Sequence, residues 1–279
     1  MAGKRIGFID DDLDNFHANT YLDALRGPLA GRGYAVAGCT ALQAERGQKW
    51  AAEKEVAWFE SIDALAAEVD CFAVLAPGTP ETHLGLCEAA LPHGKPTFVD
   101  KTFAPDVATA EKIFALADEH GAPTQTTSAL RTTNVQREVA QMDELLVSVA
   151  QWAGGASFEE YGIHPVELAV SCLGLAPERL TICGAEHHPT LAIAFTEGRT
   201  ATIDFNAREY VPFAAVLTSD KTSKAIVVDD SKLFVDAAAA ILDFFDAGEA
   251  IVPRDETMAV LRVLEAARNP AARDGWVAV

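Results

Sequence analysis

Residues 71–101 read CFAVLAPGTPETHLGLCEAALPHGKPTFVDK. An apolar run from Cys71 to Ala76 stops at Pro77, and a second run from Thr97 to Lys101 follows a helical stretch. Thr79, Pro80 and Glu81 supply a capping hydroxyl, a proline for the first helical position and an acid for the first turn, so a helix is expected over His83 to Leu91, ended by Gly94. Strand, helix, strand without alternation of polar residues is the pattern of a parallel sheet covered on both faces.

Working outward, Arg5 to Ile9, Tyr34 to Thr40 and Pro123 to Ser128 read as further strands of the same sheet. Val107, Ala110, Ile113, Phe114 and Ala117 recur at helical spacing and stop at His120-Gly121. The texture then changes. A helix is expected from Gln136 to Trp152, followed by two hairpins, Leu191–Phe195 with Ala201–Phe205 and Ala214–Thr218 with Lys224–Val228. Two closing helices run through Phe234, Ile241 and Phe245 and through Met258, Leu261 and Leu264. The expected fold is α/β: a Rossmann-like doubly wound parallel sheet over residues 1–129, then an α+β domain with a mainly antiparallel sheet over residues 130–279.

The composition narrows function. The chain has 279 residues, with 41 acidic side chains against 22 Lys plus Arg, a formal charge of -19. A nucleic-acid partner held by phosphate neutralisation is not expected. At 49% hydrophobic and 23% charged it has the makings of a sizeable core. Five scattered cysteines without a CxxC pair suit reduced core thiols. No stretch approaches 18 consecutive apolar residues, and the apolar run at the amino terminus is too short for a signal segment. A cytoplasmic protein without a membrane partner is expected.

The least ordinary feature follows the first strand: Asp10, Asp11, Asp12, Leu13, Asp14, Asn15. In a dinucleotide-binding fold this turn reads GxGxxG, which lets the backbone approach the diphosphate at a helix start. Here Asp10, Asp12 and Asn15 stand where glycines are expected, with no Lys or Arg from Ile6 to Leu25. A unit-charge repulsion at about 5 Å and an effective dielectric near 20 costs roughly 3 kcal/mol. Helix capping by solvated acids and a divalent-cation site are the alternatives for this cluster, and no residue is assigned as a metal ligand. Thr40 ends the second strand where an acid would hold the adenosine ribose.

Leu75-Ala76-Pro77, Glu81-Thr82-His83 and the run Gly94 to Thr102 together resemble the Gfo/Idh/MocA oxidoreductase family. In that family a strand ends in Glu-Lys-Pro beside the nicotinamide and substrate, and Asp100-Lys101-Thr102 occupies that place. Glu160-Tyr161-Gly162-Ile163-His164-Pro165-Val166-Glu167 is similar to its Asp-x-Gly-x-His-x-x-Asp pattern. The resemblance implies an NAD(P)-dependent oxidoreductase acting on a sugar, polyol or related hydroxy compound. It makes Lys101 and His164 the proton-handling residues of one cleft, with Glu160 helping to orient substrate. Asp10, Asp12, Asn15, Thr40, Pro77, His83 and Lys101 would line NAD or NADP; Arg131, Glu167 and His17 would face the substrate. A homo-oligomer is expected through the second domain's hairpins.

Two other readings stand beside this one. The acidic turn could mark a non-redox or inactive relative with impaired dinucleotide binding. Asp10-x-Asp12, Thr79, Lys101 and Asp229-Asp230 also resemble, superficially, the motif set of magnesium-dependent phosphatases of the haloacid-dehalogenase type.

Overall fold

A computed structural model describes residues 3–174 and 176–279. Two compact units emerge, Met1–Thr127 with Phe234–Arg254, and Ser128–Leu233 with Asp255–Val279. The chain therefore leaves the first unit, returns to it for one helix and leaves again, where a single boundary at residue 129 was expected.

The first unit holds a five-stranded parallel sheet. Its strands are β1 (Lys4–Asp10), β2 (Tyr34–Ala41), β3 (Cys71–Val74), β4 (Thr97–Val99) and β5 (Thr124–Gln125), in the order β2-β1-β3-β4-β5. Helices α1 (Phe16–Arg26), α2 (Ala44–Lys54), α3 (Ile62–Ala66), α4 (His83–Ala90) and α5 (Val107–Glu119) connect them. All residues of β3 and β4 are buried, as a sheet covered on both faces demands. All five expected strands are present, and the βαβ reading of residues 71–101 holds.

In the second unit, α6 (Asn134–Val139), β6 (Leu146–Gly154), α7 (Phe158–Tyr161) and α8 (Ile163–Leu173) precede β7 (Pro177–Ala185), β8 (His188–Phe195), β9 (Thr200–Asn206), β10 (Ala214–Ser219) and β11 (Ser223–Val227). The chain then forms α9 (Leu233–Ala247), α10 (Arg254–Arg268) and β12 (Val277–Ala278). The second sheet runs β11-β10-β6-β9-β8-β7-β12, antiparallel except where β6 pairs with β9. Both expected hairpins form.

The expected helix over Gln136–Trp152 does not. Its first residues make the short α6, capped by Thr133 and Gln136, and the rest becomes β6. From Leu146 onward Val149, Gln151 and Ala153 are buried in alternation with exposed Ala150 and Trp152. That period of two, with partners on both edges, outweighs the helix preference of Ala, Leu and Gln.

The return of α9 to the first unit has an apolar and a polar cause. Ala238, Ile241, Leu242 and Phe245 meet Ile6, Phe8, Tyr21 and Leu25 around a small apolar gap. The Asp246 carboxylate accepts from Lys4, Arg32 and Tyr34, which hold it at about 2, below the usual carboxylate range. Among the described residues no helix is long and apolar enough to cross a membrane.

Candidate functional site

Ligands of open α/β sheets bind at the carboxyl ends of the strands, and in the first unit that edge is unusually polar. Asp10, Thr40, Asp100, Thr102, Thr126 and Thr127 are all buried there.

Asp10 ends β1 with 1% of its surface exposed. Its Oδ1 accepts the backbone N–H of Ala76 (3.0 Å) and Asp12 (3.2 Å), and its Oδ2 accepts the Asn15 amide (2.8 Å). Burial pushes this carboxyl up to about 7 against the pull of those donors. Ala76 takes a left-handed φ of 37°, the geometry in which its N–H reaches Asp10. Asn15 caps α1 by accepting from the Ala18 N–H at 2.9 Å, and Asp12 accepts the Asp14 N–H at 3.1 Å. The acidic turn thus closes on itself.

A cation arrives from elsewhere. Arg46, near the start of α2, stands 2.7 Å from the Asp12 carboxylate. The helix that carries it lies tight on its neighbour: a Cβ on Gly47 would come within 2.5 Å of the Trp58 ring. The sequence segment around the acids contains no compensating charge; the tertiary fold supplies one.

Lys101 follows β4, half-buried, with its ammonium donating to the Pro77 carbonyl at 3.0 Å. Its backbone N–H donates to Asp100 Oδ1 at 2.8 Å, and the Lys101–Thr102 peptide bond is cis. The other Asp100 oxygen lies 2.5 Å from His17 Nδ1, with Asp100 fully buried and His17 12% exposed. His17, expected to face a substrate, is committed on that nitrogen to Asp100. His83 has no exposed surface: its Nδ1 faces the Phe103 carbonyl (3.0 Å) and its Nε2 those of Leu75 (3.1 Å) and Ala76 (3.2 Å). It pins the loops after β3 and β4 from beneath instead of lining a cofactor surface.

In the second unit, His164 sits half-buried in the first turn of α8, its ring 6.0 Å from that of Tyr161 and 6.2 Å from that of Phe213. Glu160 is exposed in α7. Glu167, expected to face substrate, is instead buried, where its carboxylate accepts the Ser128 N–H at 2.6 Å. Burial, with a smaller contribution from the Glu256 charge, pushes it up to about 7. Arg131, expected to face substrate, is paired with Glu256, which takes its guanidinium with two contacts, 2.5 and 3.2 Å.

The phosphatase-like reading fails at Asp10. A nucleophilic carboxylate must reach its substrate, and this one is sealed with both oxygens hydrogen-bonded. Among the described residues no group of three or more His, Cys, Asp or Glu is placed to hold a metal ion. A dinucleotide meets a divided surface. The backbone N–H groups of Asp12, Asp14 and Ala18, which a glycine turn would offer to a diphosphate, are taken by Asp10, Asp12 and Asn15. Arg46 and the strand end at Lys101 remain suited to its charge and to its reactive ring, so the residues fit the group on condition that Arg46 stands in for the glycine cradle.

Comparison with known proteins agrees with this frame. Residues 15–128 match the model of an oxidoreductase family with an NAD-binding Rossmann fold, a match that begins just past the acidic turn. A UDP-N-acetylglucosamine 3-dehydrogenase of Acidithiobacillus ferrooxidans is 32% identical over 120 residues, which span 43% of this chain and 35% of that protein. The crystal structure of GenD2 from gentamicin A biosynthesis, in complex with NAD, superposes with a TM-score of 0.83 at 14% identity over 100% of this chain and 97% of that one. A putative myo-inositol dehydrogenase from Sinorhizobium meliloti 1021 gives 0.81 at 16% identity over 99% of each. These two likenesses speak for the fold. Over residues 15–128, then, the chain is similar to the Gfo/Idh/MocA oxidoreductase family, and the match leaves out the acidic turn at residues 10–14.

Proposed function

We propose that the protein is an NAD(P)-dependent oxidoreductase acting on a hydroxyl carbon of a sugar, polyol or related compound. The observation that carries this reading is Lys101: a half-buried ammonium at the carboxyl end of a parallel strand, held by the Pro77 carbonyl, in a Rossmann unit of an oxidoreductase family. The relatives named as acting on UDP-N-acetylglucosamine and myo-inositol suggest the substrate class.

A bound nicotinamide dinucleotide would supply the hydride acceptor. The chain's own residues handle the proton and the charge. As an ammonium Lys101 donates a hydrogen bond to the substrate oxygen, and only after releasing its own proton to water can its neutral amine take the proton of the substrate hydroxyl; His164 is the second proton carrier, and Glu160 orients substrate. Arg46 meets phosphate charge beside Asp11, Asp12 and Asp14, relieving a repulsion that the bare turn would impose. The test is a panel of sugars and polyols incubated with each dinucleotide and followed by nicotinamide absorbance. Turnover that disappears in Lys101→Met supports the reading; equal turnover in that variant removes Lys101 from it.

The internally satisfied turn favours a second reading, in which the Rossmann unit no longer takes a dinucleotide and the protein binds a ligand without redox chemistry. Absence of binding by either dinucleotide would select it.

A further inference from the structure

Asp100 is an expensive residue to bury. It has no exposed surface, and its charge is met by one backbone N–H, that of Lys101 at 2.8 Å, and one imidazole, that of His17 at 2.5 Å. A buried carboxylate left with a single neutral donor costs several kcal/mol, so His17 is what makes the position tenable. The imidazole is itself held. Phe16, Tyr21 and Phe234 stand around it at ring-centre distances of 6.0, 5.6 and 5.7 Å, so it has little freedom to follow a carboxylate that moves.

The backbone completes the linkage. Asp100 N–H donates to the Val74 carbonyl (2.8 Å), and the Thr126 hydroxyl donates to the Asp100 carbonyl (3.5 Å), which ties the residue to the ends of β3 and β5. The Lys101 ammonium is anchored separately on Pro77, in the loop after β3. We infer that His17 is a positioning residue for Lys101, acting through Asp100: the imidazole fixes the carboxylate, the carboxylate fixes the Lys101 backbone, and the amine is thereby aimed. The inference deepens the proposed function and rests on its assignment of Lys101.

Acylation with acetic anhydride, read lysine by lysine by mass spectrometry on the whole protein, reports the environment of each amine without requiring turnover. In His17→Leu, which cannot hydrogen-bond to Asp100, Lys101 should label several-fold faster than in the wild type while Lys4 and Lys112 keep their rates. His17→Asn, whose side-chain amide can stand where Nδ1 stands, should restore the wild-type rate. Asp100→Asn serves as the second variant should His17→Leu fold poorly, and it should likewise speed Lys101 alone. Unchanged Lys101 labelling in both His17→Leu and Asp100→Asn overturns the inference. So does a rise shared by all lysines in both, which would mean a merely structural pair. With a turned-over substrate in hand, His17→Leu should lower kcat about 100-fold at unchanged KM, the cost of a misaimed group. Selective labelling alongside a fully active Lys101→Met would leave the positioning intact and remove the lysine from the chemistry, so the two claims fail separately.

Discussion

At the scale of single residues, Asp10, Asp100 and Lys101 meet at one sheet edge: two buried acids hold backbone N–H groups, and the amine beside them donates to the Pro77 carbonyl. Lys101→Met should abolish turnover while the thermal midpoint stays near the wild-type value, as circular dichroism on heating would check. Arg46→Ala should weaken dinucleotide binding about tenfold, the size of one charge-assisted contact, and the loss should shrink as salt is raised. Lys101 was legible in the sequence because a lysine closing an apolar run is locally visible. Arg46 was not, since its pairing with Asp12 exists only once α2 folds back along β2. The engagement of Arg131 by Glu256, 125 residues apart, is hidden for the same reason.

Among the elements, α8 and the end of β1 each carry a buried carboxyl whose pKa is pushed up to about 7. Burial pushes Asp10 and Glu167 up to about 7, so each binds its proton more tightly folded than unfolded. Their stabilising contribution is complete below the unfolded value near 4 and is lost as pH rises through about 7, at most about 4 kcal/mol for Asp10 and about 3 kcal/mol for Glu167. The thermal midpoint should therefore fall between about pH 4 and 7, and Glu167→Gln should flatten that slope; an unchanged slope in the variant would exclude Glu167 as its source. Elements with one dominant period were readable: the continuous apolar strands of the first unit, the helix beginning at His83, though without the Thr79 cap hydrogen bond expected for it, and the two hairpins. Residues 136–152 were not, because helix-favouring residues occupy a stretch whose alternation becomes decisive only when β9 and β10 flank it.

Over the whole molecule, the linear division expected at residue 129 missed that α9 joins the first unit. The amphipathic pattern of Ala238, Ile241, Leu242 and Phe245 says that a helix must bury a face but not against which sheet. The second unit's sheet exposes Trp152, Val216 and Val227 on strands whose register sets them on one face, a surface suited to a second copy of the chain. Light scattering should give a mass above that of one chain, and Trp152→Asp should lower it; a monomeric wild type would refute the expectation. The central claim is that this acid-lined Rossmann unit still takes a nicotinamide dinucleotide, with Arg46 in the place of glycines. Calorimetric titration of the purified protein with NADH and with NADPH tests it most directly. Saturable binding of at least one of them, weakened in Arg46→Ala, is the result predicted; no heat of binding from either, at any protein concentration reached, would contradict it.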